Sequence, residues 1–244
     1  MKSLEKFARV LKLASVCFVA MLIFSSCEED KNDTNNGVYK KTTLINEGFE
    51  SYAAGTFPSN GGWIIYNSSH LSEAMIVDNV SKSGTKSLFL KGTLAYTGCC
   101  YKLFNGTGDF ITAEFDFYTD EVRAADGGMF LSIMNNGIIE NVVHIPFMNG
   151  ILWAQDEVGE YWKSSKVYES KEWHHFKAVL NNKTHTYKVY VDGELLSFTY
   201  NSVAKSELPA VCSEIPEMIG LMGQGNYGNV NYDDILVYSE INVK

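Results

Sequence analysis

Apolar residues occupy alternate positions through the centre of the chain. Phe176, Ala178 and Leu180 are followed by a polar Asn181-Asn182-Lys183-Thr184 turn, after which Tyr187, Val189 and Val191 resume the alternation. A period of two on both sides of a turn predicts an antiparallel hairpin with one buried face. Asp192-Gly193 supplies the two positive-φ positions of a type I′ turn, which predicts that residues 195–200 return as a third strand. The three strands are expected to form the middle of an antiparallel sheet. Further strands are predicted at 74–78, 87–91, 101–104, 111–118, 129–134, 142–147, 151–154, 218–222 and 234–238. Their connectors are rich in Gly, Asn and Ser, as in Asn60-Gly61-Gly62, Ser83-Gly84, Asn135-Asn136-Gly137 and residues 223–228. More than ten short strands with such turns predict an all-β, two-sheet antiparallel β-sandwich. Residues 206–217 are the one stretch with room for a helical turn.

Residues 173–193 read W-H-x-F-K-x-x-L-N-x-x-T-x-x-Y-x-V-Y-V-D-G. This resembles the signature hairpin of concanavalin A-like and laminin-G-like jelly-roll domains. Phe49-Glu50-Ser51-Tyr52 with Trp63, and Tyr232-Asp233-Asp234-Ile235-Leu236-Val237-Tyr238, agree with the same pattern. The resemblance spans residues 42–244, read as one domain, and implies Trp63 and Trp173 in the core. It implies a fold more sharply than a ligand, because such domains include lectins, binding modules, glycosidases, lyases and adhesive spacers.

The N-terminal end reads differently. Lys2, Lys6, Arg9 and Lys12 precede an apolar run at 13–24 that ends in Ser25-Ser26-Cys27. A basic segment and a run of about 12 apolar residues, short of the ~20 a spanning helix needs, predict a secretory signal over 1–26. Small residues before a cysteine resemble the bacterial lipobox, which implies acylation of Cys27. Residues 27–41, polar and acidic at first, are expected to be a solvated tether. The acidic cluster after Cys27 resembles the surface-export signal of Bacteroidota lipoproteins. It implies the outer face of the outer membrane, with the periplasmic face as the alternative.

Removing the signal leaves 16 of the 20 basic and 28 of the 29 acidic residues, net −12. So acidic a chain repels nucleic acid and anionic lipid, and its membrane contact is expected through acyl chains. Of five cysteines, Cys99, Cys100 and Cys212 remain. Adjacent strand residues point to opposite faces. Either one of Cys99 and Cys100 bonds Cys212, or all three stay thiols.

Candidate chemistry is sparse. In 111–118, Ile111, Ala113, Phe115 and Phe117 are predicted to face the core, leaving Glu114, Asp116 and Tyr118 on the other face. Laminarinase-type hydrolases of the resembling superfamily carry E-x-D-x-E or E-x-D-x-x-E on such a strand. Here Tyr118 or Thr119 stands where the acid belongs, so Glu114 and Asp116 lack a proton donor. Uronate lyases of this fold place Arg, Gln, His and Tyr on the concave sheet. Arg123 is the one arginine outside the signal, and His144 within VVHIPF reads as a strand residue.

Binding is easier to support. Residues 151–163 mix Trp153, Tyr161 and Trp162 with Gln155, Asp156 and Glu160, and sugars offer an apolar face to aromatics and hydroxyls to amides and carboxylates. Trp153, Gln155, Asp156, Tyr161 and Trp162 are therefore the candidate carbohydrate-binding residues. In resembling modules a structural Ca²⁺ sits between a first-strand Glu and a last-strand Asp. That implies Glu50 and Asp233, assisted by Glu47 or Asp234, as ligands. The expectation is a non-catalytic, cell-surface, glycan-binding lipoprotein. The alternatives are a glycoside hydrolase or polysaccharide lyase of the same fold, and an adhesive subunit with a protein partner.

Overall fold

The computed structural model of the chain describes residues 38–243. Cys27 and the 1–26 signal lie outside the described residues. In chain order the strands are β1 (Tyr39–Glu47), β2 (Trp63–Tyr66), β3 (Leu71–Val77), β4 (Ser87–Gly92), β5 (Gly98–Leu103), β6 (Phe110–Tyr118), β7 (Gly127–Asn135), β8 (Ile138–Met148) and β9 (Ile151–Gln155). They continue with β10 (Tyr161–Val167), β11 (Trp173–Asn181), β12 (Thr186–Val191), β13 (Glu194–Leu195), β14 (Phe198–Tyr200), β15 (Val203–Lys205), β16 (Leu208–Pro209), β17 (Met218–Gly223) and β18 (Asn229–Asn242). Sheet 1 runs β13-β12-β11-β6-β18-β4-β3, with β1 on β18 and β16 on β12; sheet 2 runs β15-β14-β10-β9-β8-β7-β17-β5-β2.

The alternation sets the hairpin. Phe176 pairs Val191, Ala178 pairs Val189 and Leu180 pairs Tyr187, and all six side chains are buried. Asp192 and Gly193 turn at φ 53° and 79°. The expected third strand is cut short. Only Glu194–Leu195 pairs with β12, whereas Phe198–Tyr200 pairs with β10 in the other sheet. Two adjacent leucines break the period: Leu195 stays outside while Leu196 enters the core, and the chain crosses the sandwich behind it. The hairpin therefore lies toward one edge of sheet 1, not in its middle.

Residues 206–217 hold no helix. Their amides are taken by other segments: Ala210 N–H by His185 O, Val211 N–H by Val142 O and Glu217 N–H by Ser132 O. Among the described residues the helical pieces are two 3₁₀ turns, Ser59–Gly61 and Ser68–His70. The terminal strands pair from Tyr39↔Asn242 to Glu47↔Ile235, so β1 begins shortly before Thr42. Trp63 is core, as expected, but Trp173 is not. It falls on the odd-numbered phase of β11, opposite to Phe176, and packs outside against Tyr118 at 5.6 Å. Cys99, Cys100 and Cys212 are free thiols, with Cys100 in the core.

Candidate functional site

The outward half of the alternation in sheet 2 makes an outer face that is buried at Phe130, Met218 and Met222 and partly exposed on either side of them. Met129, Leu131, Val143, Ile145, Leu152, Ala154, Ile219 and Leu221 face the core between the sheets. Their neighbours form a cross-strand row in which Ile64 pairs Tyr101, Tyr101 pairs Gly220, Gly220 pairs Phe130 and Phe130 pairs His144. The row continues through the His144–Gln155 hydrogen bond to Gln155, which pairs Tyr161. Phe130, Met218 and Met222 form a hydrophobic cluster separate from the core, with Cys99, Tyr101, Met134 and Ile139 packed on it. Gly220 makes this floor possible: a Cβ there would stand 1.8 Å from the Phe130 ring, so the ring lies directly over bare backbone. At one end the surface dips into a cleft of about 220 Å³ lined by Tyr101, Leu103, Phe104, Met134 and Glu217.

Polar groups converge at the other end of the row. His144 Nδ1 lies 3.1 Å from Gln155 Oε1 and 3.3 Å from the Tyr161 hydroxyl. Gln155 Nε2 reaches Gly159 O at 3.5 Å, which turns Oε1 toward the imidazole. In that amide orientation Nδ1 carries the proton and donates it to Gln155, leaving Nε2 as an acceptor without a partner among the described residues. Against the opposing hydrogen bond to Gln155, burial holds the His144 pKa below its usual value, which favours the neutral ring. Burial raises the Tyr161 phenol. Half-buried Trp153 sits one row along, paired with Lys163.

Three of the five sequence candidates, Trp153, Gln155 and Tyr161, thus share this surface. Asp156 and Trp162 do not. Trp162 is inward and 6% exposed, and its indole N–H donates to Asp156 Oδ2 at 2.8 Å. Asp156 Oδ1 accepts from the amides of Val158 and Glu160, so the carboxylate ties the β9–β10 turn. Strand alternation explains the split, since 162 has the phase of inward Ser164 and 161 the opposite one. Sequence reasoning missed Tyr101, Phe130 and His144. No local signal links them; only strand register does.

The carboxylates of sheet 1 are engaged elsewhere. Glu114 and Asp116 face outward as expected. Glu114 accepts from the Tyr238 hydroxyl at 2.8 Å and pairs with Lys177 at 3.5 Å. Asp116 pairs with Lys82 at 3.5 Å and His175 at 3.6 Å. Each is matched by a cation on the same side, and Asp233, which pairs with Asp116 across the β6–β18 ladder, accepts from the amides of Lys82 and Ser83.

The residues do not fit the expected calcium site. Among the described residues no three His, Cys, Asp or Glu side chains come together to hold a metal ion. Glu47 turns away to Lys102 Nζ at 3.0 Å and the Tyr52 hydroxyl at 2.8 Å. Glu50 and Asp233 accept backbone N–H groups from residues 82–86 instead.

No protein-family model matches the chain, and no curated protein matches it. Among solved structures it is similar to a sialidase, with TM-score 0.55 and 14% identity over 81% of this chain and 18% of that one. The chain thus spans under a fifth of the sialidase's length. It is similar to Cip1, a cellulose induced protein, with TM-score 0.55 and 17% identity over 79% of this chain and 96% of that one. It is also similar to the carbohydrate recognition domain of Emp46p in its metal-free form, with TM-score 0.51 and 13% identity over 81% and 95%. At these identities the likeness establishes the fold. The chain is a two-sheet antiparallel jelly-roll sandwich.

Proposed function

We propose that this domain is a glycan-binding module whose ligand lies on the outer face of sheet 2. The observation that carries the reading is the row Tyr101–Phe130–His144–Gln155–Tyr161, an uncharged row in which Phe130 is a buried floor and Tyr101, His144, Gln155 and Tyr161 stay partly exposed around a hydrogen-bonding cluster. A pyranose offers both complements: C–H faces for Trp153 and Tyr161, and hydroxyls for the His144 acceptor, the Tyr161 O–H and the Gln155 amide. Likeness to the Emp46p carbohydrate recognition domain supports the same reading. The domain binds without turning its ligand over, held to the outer membrane through an acylated Cys27. A glycan array with wild type and Tyr161→Ala tests it. Binding by the wild type that the variant loses supports the site, and an array with no wild-type signal overturns the reading.

One observation favours a second reading. The Tyr161 hydroxyl lies beside the His144 ring at 3.3 Å, and β-elimination of a uronate needs a base and a proton donor at the substrate, roles open to the His144 acceptor nitrogen and the Tyr161 O–H. It also needs a cation at the carboxylate, yet Arg123 is held by Asp120 and Glu121, leaving Lys163 on this side. Ultraviolet absorbance of an unsaturated uronate product, measured beside the array, separates lyase from lectin. Metabolic labelling that puts fatty acid on the wild type and none on Cys27→Ala checks the anchor.

A further inference from the structure

We propose that the Lys86 ammonium, seated between the carbonyl oxygens of Glu50 and Tyr52, takes the place of a structural calcium ion and closes the terminal strands of this sandwich without metal. The loop between β3 and β4 does the rest. Lys86 Nζ donates to Glu50 O at 2.8 Å and Tyr52 O at 2.7 Å, so two carbonyls that would suit a hard cation already hold one. The Glu50 carboxylate accepts from Thr85 N at 2.9 Å, Lys86 N at 2.9 Å and Thr85 Oγ1 at 2.9 Å. At the other chain end, Asp233 Oδ2 accepts from Lys82 N at 2.9 Å and Ser83 N at 3.2 Å, and Oδ1 from Asp234 N at 2.8 Å. Asp234 Oδ1 accepts from Ser83 Oγ at 2.6 Å.

Every carboxylate oxygen of Glu50 and Asp233 therefore faces an N–H or O–H donor. Ca²⁺ binding needs 6–8 oxygens with their lone pairs turned to one point, and here donors occupy those directions. One short peptide bridges the segment that follows the first strand to the last strand and brings its own positive charge. Gly84 lets it approach. Its φ is +57°, which strains any other residue, and a Cβ would stand 2.5 Å from the Glu50 carboxyl, so a side chain there would have to displace that carboxylate from its donors. The loop is anchored behind by Ser87 Oγ, which donates to Val80 O at 2.6 Å and accepts from Asn231 Nδ2 at 3.0 Å.

The test is thermal melting of the wild type with chelator and with millimolar Ca²⁺, beside Lys86→Met and Gly84→Ala. The wild-type curves are expected to superimpose. Lys86→Met, which keeps the aliphatic stem and removes two charged hydrogen bonds, is expected to melt lower by roughly 3–8 °C. Gly84→Ala, which pushes the loop from Glu50, is expected to melt lower as well. A wild-type melting temperature that falls in chelator and returns with Ca²⁺ would overturn the proposal. So would a Lys86→Met protein that melts with the wild type. The chelator arm needs no variant to fold.

Discussion

The two outer faces of the sandwich are built from the same alternation and use it in opposite ways. On sheet 1 the outward positions are charged and matched, with Lys177 on Glu114, Lys82 and His175 on Asp116, Lys188 on Glu207 and Lys91 on Glu73. On sheet 2 they are a buried floor of Phe130, Met218 and Met222 with partly exposed Tyr101, Trp153 and Tyr161 around it, and His144 and Gln155 between them. Among the described residues no ion pair joins two side chains of sheet 2 strands. Half-exposed pairs such as those on sheet 1 contribute little to stability, about 0–1 kcal/mol each, but they occupy the polar groups. An acidic molecule that keeps one face nearly free of charge leaves that face able to take an uncharged partner.

That contrast can be attacked from either face. The largest effect is expected at Gly220→Ala. Its Cβ would displace the Phe130 ring from the floor of sheet 2, costing about 1–3 kcal/mol as overpacking does and lowering glycan affinity with it. Denaturant melts and array binding read both, and a variant with native stability and binding would mean the floor is no part of the site. Next come Trp153→Ala and Tyr161→Ala, expected to lower glycan affinity roughly tenfold or more, about 1.4 kcal/mol. Titration calorimetry against an array hit measures this, while the melting temperature should move far less than with Gly220→Ala.

The histidines sharpen the comparison further. On sheet 2, burial lowers the pKa of His144. On sheet 1, the hydrogen bond to Asp116 raises that of His175. The unfolded values lie near 6.5. Below that value the unfolded chain protonates His144's position before the folded one does, so this group's contribution falls as the pH drops through that window. His175's contribution is complete below the unfolded pKa and is lost as pH rises through its higher folded pKa. An NMR titration of the imidazoles should therefore place one midpoint on each side of the unfolded value. The smallest effect is expected at Lys177→Met, within about 1 kcal/mol of wild type and with unchanged glycan binding; lost binding would move the site to sheet 1.

The sequence carried the inner half of this protein well. Phe115 and Phe117 on β6 and the six residues of the β11–β12 hairpin lie buried where a period of two puts them. Asp192-Gly193 turns as that dipeptide demands. The placement of Trp173 inside by the resemblance, and the offer of Trp162 to a ligand by the make-up of 151–163, both run against phase. Each lies on the face that its own position number assigns, Trp173 outward and Trp162 inward.

What the chain alone determined is therefore phase: which residues point in, where the strands turn, and hence a two-sheet sandwich. Periodicity is a local property and survives without knowledge of partners. What only the tertiary structure decided is adjacency. Tyr101, Phe130, His144 and Tyr161 meet because β5, β17, β7, β8, β9 and β10 lie side by side in one register. A register shift between Leu131 and Ser132 in the β7–β8 ladder lets Val142 and Val143 both be buried, and His144 then faces out opposite Phe130. The carboxylates near the chain ends were legible as a cluster, but their partners were not. Whether such a group meets a cation or a row of amides depends on where the 82–86 loop crosses, and that crossing is fixed by contacts roughly 150 residues apart in sequence.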